Sequence, residues 1–491
     1  MKRAPDGLGP VVTLNRRAAQ PIHRQIYDGY RAAILDGRLR AGQRLPSTRT
    51  LAADLRVSRI PVVTAFAQLA AEGYVDSRVG AGTYVTGSLP AVVAPRTKAK
   101  HDAGAPRPGP RRIPPSPLAP HGGPWLPLRG PFRLSQPALD EFPAALWARV
   151  VSRQARRMTP RQMSYGDPQG LLALREALAS YLRTFRSVAC DAGQIFVVSG
   201  SQQALVLAWR ALVAPGEEVW MEEPGYSGAR DALVLAGAKI VPVPVGDDGL
   251  DVSAGVRRAG RARGAYVTPS HQYPLGVAMS APARVQLLAW ARRAGAWIVE
   301  DDYDSEYRYE GQPLSSLHGL DRDARVVYTG TLSKILFPAL RLGYLVVPAD
   351  LVPRFRELRS AMDIFPPPLS QAVLAELIVE GHFARHLRRM RALYAERRRA
   401  LVAALARELG DVVNVVGEAA GMHLVALLPP GIDDAEVGRL AAKRGISAAP
   451  LSECYATPAR RPGLVLGFGS TRPRAMGEAV RTLAAVVRER V

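Results

Sequence analysis

Lys334 closes the stretch "TGTLSK" (329–334) and is followed by the apolar "ILFPALRLGYLVV", with Arg341 seven residues beyond it. A lysine between apolar flanks is costly to bury unless its charge is paired or its amine is used chemically. Two other apolar runs end in polar groups of a complementary kind. "AWIVEDDYD" puts Asp301 at the end of one and Tyr303 two residues on. "IFVVSGSQQAL" passes through Gly200 into Ser201, Gln202 and a helical pattern. An amine, an acid, a phenol and a glycine turn opening a helix meet four needs of one group. An aldehyde needs an amine with which to condense. A pyridine nitrogen needs a carboxylate to keep it protonated. A phenolic oxygen needs a donor, and a phosphate needs the N–H groups of a helix start together with a cation. Pyridoxal phosphate has all four needs, and the sequence supplies a candidate for each.

Lys334 is the candidate amine, Asp301 the candidate acid and Tyr303 the candidate donor. Gly200, Ser201 and Gln202 present N–H groups to an anion, and Thr331, Ser333 and Arg341 can complete a phosphate cup. Tyr226, in "EEPGY", is a candidate to stack on the ring. These residues need a scaffold that brings strand ends together. "QIFVVS", "EEVWME", "AKIVPVPV", "AYVTP", "AWIVEDD", "ARVVYTG" and "LGYLVV" read as strands, with helical stretches such as "SQQALVLAWRALVA" and "APARVQLLAWARRAG" between many of them. This alternation predicts a mostly parallel sheet covered on both faces, with ligands beyond the C-terminal strand ends. The expected class is α/β and multi-domain.

The N-terminal region, residues 1–88, reads differently. "IHRQIYDGYRAAIL" is an amphipathic helix stopped by Gly37. "STRTLAADL" predicts a short helix capped by Ser47, and Ser58 caps a third helix with Pro61 in its first turn. "YVDSRVGAGTYV" alternates as two strands around glycines. Two helices joined by a tight turn and followed by a hairpin make a winged helix-turn-helix, whose third helix enters the DNA major groove. Arg59 beside Ser58, Arg49 near the start of the second helix, and Arg78 and Gly80 in the hairpin are the expected DNA contacts. Residues 89–130 are rich in Pro and Gly without periodicity and predict a basic, semi-extended linker.

Charge agrees with this division. The chain of 491 residues carries a net +22, of which +7 falls on residues 1–88, +6 on 89–130 and +9 on the remaining 361. The basic excess is densest where an anionic partner is expected. No run of about 20 apolar residues occurs, so no membrane span is expected. The start lacks an apolar signal-peptide core. Cys190 and Cys454 are the only cysteines; both are expected as free thiols in a cytoplasmic protein.

The pattern "GRLRAGQRLPSTRTLAADLRVSR…LAAEGYVDSRVGAGTYV" resembles the GntR family of DNA-binding domains, departing from it at Ile60-Pro61. "YGDPQGLLALREALASYL", "VVSGSQQALVLAWRALVAPGEEVWMEEPGY", "VTPSHQYPLGVAMS", "VEDDYDSEYRY" and "YTGTLSKILFPALRLGYL" resemble fold-type I aminotransferases. The whole chain looks like a MocR/GabR-type regulator. The resemblance implies a PLP-binding effector and dimerisation domain over 131–491, with a smaller α+β subdomain, in a homodimer that binds operator DNA. It implies Lys334 as the Schiff-base lysine, Asp301 on the pyridine nitrogen, Tyr303 on the phenolic oxygen, and Arg341, Ser201 and Gln202 near the phosphate. The effector would be PLP itself, an amine or an amino acid. Two departures stand out. Tyr273 replaces the asparagine that usually precedes Pro-x-Gly, and Val465 stands where many aminotransferases carry an arginine for the substrate carboxylate. The second weighs against efficient transamination, though an active aminotransferase with a DNA-binding extension is the alternative reading.

Overall fold

The computed structural model describes residues 11–78, 82–87, 118, 130–309 and 315–490. The chain divides into two compact units, one ending at Ile113 and the other beginning at Pro114. The region read as a linker lies, apart from Leu118 and Gly130, outside the described residues.

In the first unit, α1 (Ile22–Leu35), α2 (Thr48–Asp54) and α3 (Arg59–Ala71) precede β1 (Val75–Arg78) and β2 (Gly82–Val85), which pair antiparallel. Ile26, Tyr30 and Ala33 of α1 pack with Leu51 of α2, with Val62, Phe66 and Leu69 of α3, and with Val75 and Val85 of the hairpin. Tyr30 meets Phe66 edge-on, ring centroids 5.3 Å apart. Ser47 caps α2 by accepting the Thr50 N–H at 3.1 Å. Ser58 holds the corresponding position before α3 with extended backbone, but its side chain makes no capping hydrogen bond. That corrects the expected cap, and leaves the first-turn N–H groups of α3 without a side-chain acceptor from Ser58.

The second unit is built on an eight-stranded sheet of β3 (Ile195–Val198), β4 (Glu218–Glu223), β5 (Lys239–Gly246), β6 (Gly249–Leu250), β7 (Gly264–Val267), β8 (Trp297–Asp302), β9 (Val326–Thr331) and β10 (Gly343–Val346). The spatial order is β3-β10-β9-β8-β7-β4-β5-β6. The pairs β9-β8, β8-β7, β7-β4 and β4-β5 are parallel, while β10 runs antiparallel to both its neighbours. Successive side chains serve opposite faces, and both faces are covered, which is why these strands read as unbroken apolar runs. Phe196 and Val198 join Met221, Tyr266 and Leu345 under the helix α4 (Ser201–Leu212) and its neighbour α5 (Ser227–Ala236). On the other face Trp220, Val267 and Ile298 pack against α6 (Ala281–Ala294). Trp220 and Trp290 stack there with centroids 3.6 Å apart, and each indole N–H finds a carbonyl, Ala259 and Gly260 respectively. Such a pair contributes about 0.5–1.5 kcal/mol beyond its buried area.

A second, antiparallel sheet contains β11 (Asn414–Val416), β12 (His423–Leu427), β13 (Ala449–Pro450) and β14 (Gly463–Gly467), in the order β11-β12-β14-β13. It packs with the long helix α7 (His382–Leu409) and the last helix α8 (Pro473–Arg488). Cys190 and Cys454 are free and buried. Among the described residues no helix is long and apolar enough to cross a membrane.

Candidate cofactor site and nucleic-acid face

The C-terminal ends of β8 and β9 and the start of α4 surround a cavity of about 520 Å3. Asp301 sits at the end of β8 and Tyr303 directly after the strand; Thr331 ends β9, and Ser333 and Lys334 follow in the connection to β10. Ser201 and Gln202 open α4, and Tyr226 precedes α5. All of these, with Arg341, line the cavity. Gly200 lies beneath them as the turn into α4, with φ +87. The positive φ calls for glycine, and a Cβ there would also crowd the Arg341 guanidinium at 3.1 Å. Arg341 itself has φ 51 and donates through Nη2 to the Ser199 carbonyl at 2.7 Å. The first N–H groups of α4 have no partner within the helix and face the same region as this cation.

Asp301 is buried, and one of its oxygens, Oδ2, accepts the Tyr266 hydroxyl at 2.9 Å. The other, Oδ1, is buried with no partner. Burial raises the Asp301 pKa to about 6, opposed by the Tyr266 hydrogen bond and by Lys334. Lys334 is half-buried, its Nζ 3.9 Å from the centre of the Tyr303 ring. Burial lowers its pKa, and the carboxylates of Asp304 and Asp301, in that order, pull it back up. Ser333 Oγ is a second buried atom without a partner, and the Ser333 N–H reaches Thr331 Oγ1 at 3.3 Å. Gln202 turns its amide to the Gly228 carbonyl at 2.8 Å, leaving its backbone as the group available to an anion.

These observations fit pyridoxal phosphate. An unpaired carboxylate oxygen, an amine with weakened basicity, and a helix start with a cation and unsatisfied hydroxyl lie around one cavity. Residues that sequence reasoning left out also line it. Leu134, Ser135 and Gln136 follow the linker region, and Ser135 has φ 56. Tyr266 reads in sequence only as part of a buried strand. Tyr273, already marked in the sequence as standing in the place of an asparagine, lines the cavity too, with its ring edge-on to Tyr226, centroids 5.7 Å apart. Val465 is fully buried on β14 and packs with Leu134.

In the first unit, Arg49 and Arg59 are exposed at the starts of α2 and α3. Arg59 Nε donates to Thr48 Oγ1 at 3.1 Å, tying the two helices at that end. Ile60 is 76% exposed and Val63 43% on α3. Arg78 ends β1 opposite Gly82, and Gly80 lies outside the described residues.

Comparison with known proteins agrees with both parts. Residues 22–85 match the bacterial regulatory proteins of the gntR family, and residues 136–464 match aminotransferase class I and II. The chain is 42% identical over 473 residues to the probable rhizopine catabolism regulatory protein MocR of Rhizobium meliloti, covering 96% of this chain and 95% of that one. It is 33% identical over 466 residues to the HTH-type pyridoxine biosynthesis transcriptional regulator PdxR of Corynebacterium glutamicum, covering 94% of each. Among solved structures it is similar to Pyrococcus horikoshii kynurenine aminotransferase in complex with PMP, with TM-score 0.69 and 27% identity over 74% of this chain and 91% of that one. The α-aminoadipate aminotransferase LysN of Thermus thermophilus, complexed with N-(5'-phosphopyridoxyl)-L-leucine, gives TM-score 0.69 and 29% identity over 74% and 93%. The aminotransferase fold implies dependence on pyridoxal phosphate, and the gntR domain implies DNA binding. The chain belongs to the MocR/GabR-type transcriptional regulators, which join a GntR-family helix-turn-helix to a domain of the aminotransferase class I and II fold.

Proposed function

We propose that this regulator holds pyridoxal phosphate at Lys334 and senses a primary amine that competes with that lysine for it. The observation that carries the reading is the unpaired Oδ1 of buried Asp301 in the same cavity as Lys334. When bound, the cofactor supplies an aldehyde that condenses with amines and a ring that accepts electron density. Lys334 is the amine of the resting protein, and its lowered pKa keeps more of it neutral and nucleophilic. Asp301 holds the ring nitrogen. With a pKa of about 6 it is largely ionised at neutral pH, and a cationic partner would lower it further. The first N–H groups of α4, Arg341 and the hydroxyls of Ser201, Thr331 and Ser333 hold the phosphate, while Tyr226 covers the ring.

Among the described lining residues only Lys334 and Arg341 are cations, and Arg341 belongs to the phosphate end. A carboxylate entering beside Leu134, Ser135 and Tyr273 would lose water without a counter-charge. This favours an amine lacking a carboxylate over an α-amino acid, and hydroxyl groups on it would suit Ser135 and Gln136. Arg49, Arg59, Arg78 and the hairpin glycine Gly80 contact operator DNA, with Ser58 at the start of the reading helix. Domain limits of 1–88, 89–130 and 131–491 and a homodimer complete the proposal. Exposed Met163, Tyr165 and Ile364 favour a partner surface on the second unit. For the effector to regulate, it must bind one arrangement of the dimer better than another.

The test is borohydride reduction of cofactor-loaded protein followed by peptide mapping, with operator binding followed while amines and matched amino acids are titrated. Label on Lys334 and a DNA response to amines that Lys334→Ala lacks are expected. Label elsewhere, or an unchanged response in Lys334→Ala, overturns the reading. The alternative, a turning-over aminotransferase, is favoured by the fit of the cavity to the cofactor and would appear as repeated product release from an amino donor and a 2-oxo acid.

A further inference from the structure

Behind Tyr303 lies a buried polar chain to which the roles above give no work. His271 and Asp304 are each 2% exposed, and His423 is 5% exposed. His271 Nδ1 stands 2.9 Å from Asp304 Oδ1 and 3.0 Å from the Tyr303 hydroxyl. The other Asp304 oxygen, Oδ2, accepts the Met422 N–H at 3.3 Å. His423 Nε2 donates to the Pro274 carbonyl at 3.1 Å, and burial beside His271 lowers its pKa to about 3, so it is neutral. Gly421, with φ +77, closes over the group: a Cβ there would fall 2.1 Å from His271 Cε1 and 2.6 Å from Asp304 Oδ2. The pair is therefore closely covered on the side of β12.

One nitrogen of His271 faces two oxygens, and this decides where protons sit. An ionised carboxylate can only accept, so the proton on Nδ1 points to Asp304. That nitrogen then has no lone pair for the Tyr303 hydroxyl to donate to. Tyr303 oxygen can only accept from the same N–H, and its own proton is released toward the cavity. With the other tautomer, the Nδ1 lone pair would face the Asp304 carboxylate at 2.9 Å, which is repulsive. The ligand-capable atoms of His271, Asp304 and His423 lie within 4.8 Å of one another; His271 Nδ1 and His423 Nε2 are engaged in hydrogen bonds, while His271 Nε2 is buried without a hydrogen-bond partner.

We infer that the His271–Asp304 pair is a positioning unit that fixes Tyr303 as a hydrogen-bond donor into the cavity, toward the phenolic oxygen of the cofactor. This rests on the cofactor reading of the site. Asp304 also ties the site to the second sheet through the Met422 N–H, so the orientation of Tyr303 depends on how β12 is docked.

Cofactor affinity of the full chain, followed by absorbance as the cofactor-free protein is titrated with pyridoxal phosphate, tests it. Tyr303→Phe and His271→Leu should each weaken binding roughly tenfold, the cost of one hydrogen bond to a charged group. If His271 acts through Tyr303, the double variant is no weaker than Tyr303→Phe alone. His271→Asn, whose amide N–H can replace Nδ1–H, should bind within about threefold of the parent. Losses that multiply in the double variant, or His271→Asn failing as badly as His271→Leu, overturn the positioning role. Should His271→Leu not fold, the near-isosteric Asp304→Asn enters the same cycle with Tyr303→Phe and must show the same non-additivity. A parent that shows no spectral change with cofactor overturns the site reading itself. A parent that loads normally alongside equally normal variants overturns only this inference.

Discussion

The arginines read as DNA contacts, Arg49 and Arg59, stand exposed at helix starts, whereas the groups read as cofactor contacts line a cavity among buried partners. The difference follows from what each face meets. DNA brings a dense row of phosphates, so flexible, hydrated cations suffice and need little support. A single small molecule must be met by groups already in place, and the protein supports them with glycine turns, left-handed residues and enclosed hydrogen bonds. Asp301 thus carries a raised pKa of about 6, a cost that a bound cation can repay. Among the described residues Arg59 has one such support, its bond to Thr48.

The largest way to sharpen this contrast is through pH. An acid whose pKa is raised by folding favours the fold below its ordinary range, and that contribution is lost as pH rises to the folded value. For Asp301 the window runs from 3.8 to about 6. Across it the cofactor-free protein should lose on the order of 2 kcal/mol from this one group. Guanidinium melts should show Asp301→Asn losing correspondingly less over the same interval. Equal pH dependence in the two proteins would show that the carboxylate is not held at a cost.

A smaller effect is expected on the other side. Arg59→Ala should weaken operator binding and reduce the slope of log affinity against log salt by about 1, with little change in melting temperature. If the melt falls instead while the salt slope stays, the Thr48 bond is structural and Arg59 is no phosphate contact. The smallest effect concerns Ile60, 76% exposed on α3. An apolar side chain in the major groove reads thymine methyl groups. Ile60→Ala should lose about 1 kcal/mol on a selected operator and become indifferent to replacement of thymine by uracil. An unaltered uracil penalty in the variant would remove Ile60 from the contact set.

Much of this was legible in the chain itself, for a reason the sheet makes plain. Strands covered on both faces, such as Ile195–Val198 and Val326–Thr331, leave unbroken apolar runs, and their polar ends mark the cavity. The antiparallel course of β10 was not legible, because an apolar run carries no direction. Strands as short as Ala449–Pro450 leave no period to detect. Tyr266 was missed because a buried tyrosine in "GAYV" looks like core until its hydroxyl is seen on Asp301. Asp304 reads as part of an acidic loop, and His423 lies 152 residues from His271, so only tertiary contact joins them. The Ser58 cap failed because a residue type permits a hydrogen bond without enforcing its rotamer.

The reversal of β10 has a mechanical consequence. Thr331 and Gly343 face each other across the β9-β10 ladder, and the Leu332 N–H closes the intervening loop on the Leu342 carbonyl at 3.0 Å. The mouth of that loop is thus clamped twice, so the stretch bearing the amine and the guanidinium behaves as a caliper of set span. The bond from Arg341 to the Ser199 carbonyl anchors the guanidinium end of it as well. Adding or removing one residue between 334 and 341 would detune the distance between the two charged tips while sparing the sheet that carries them.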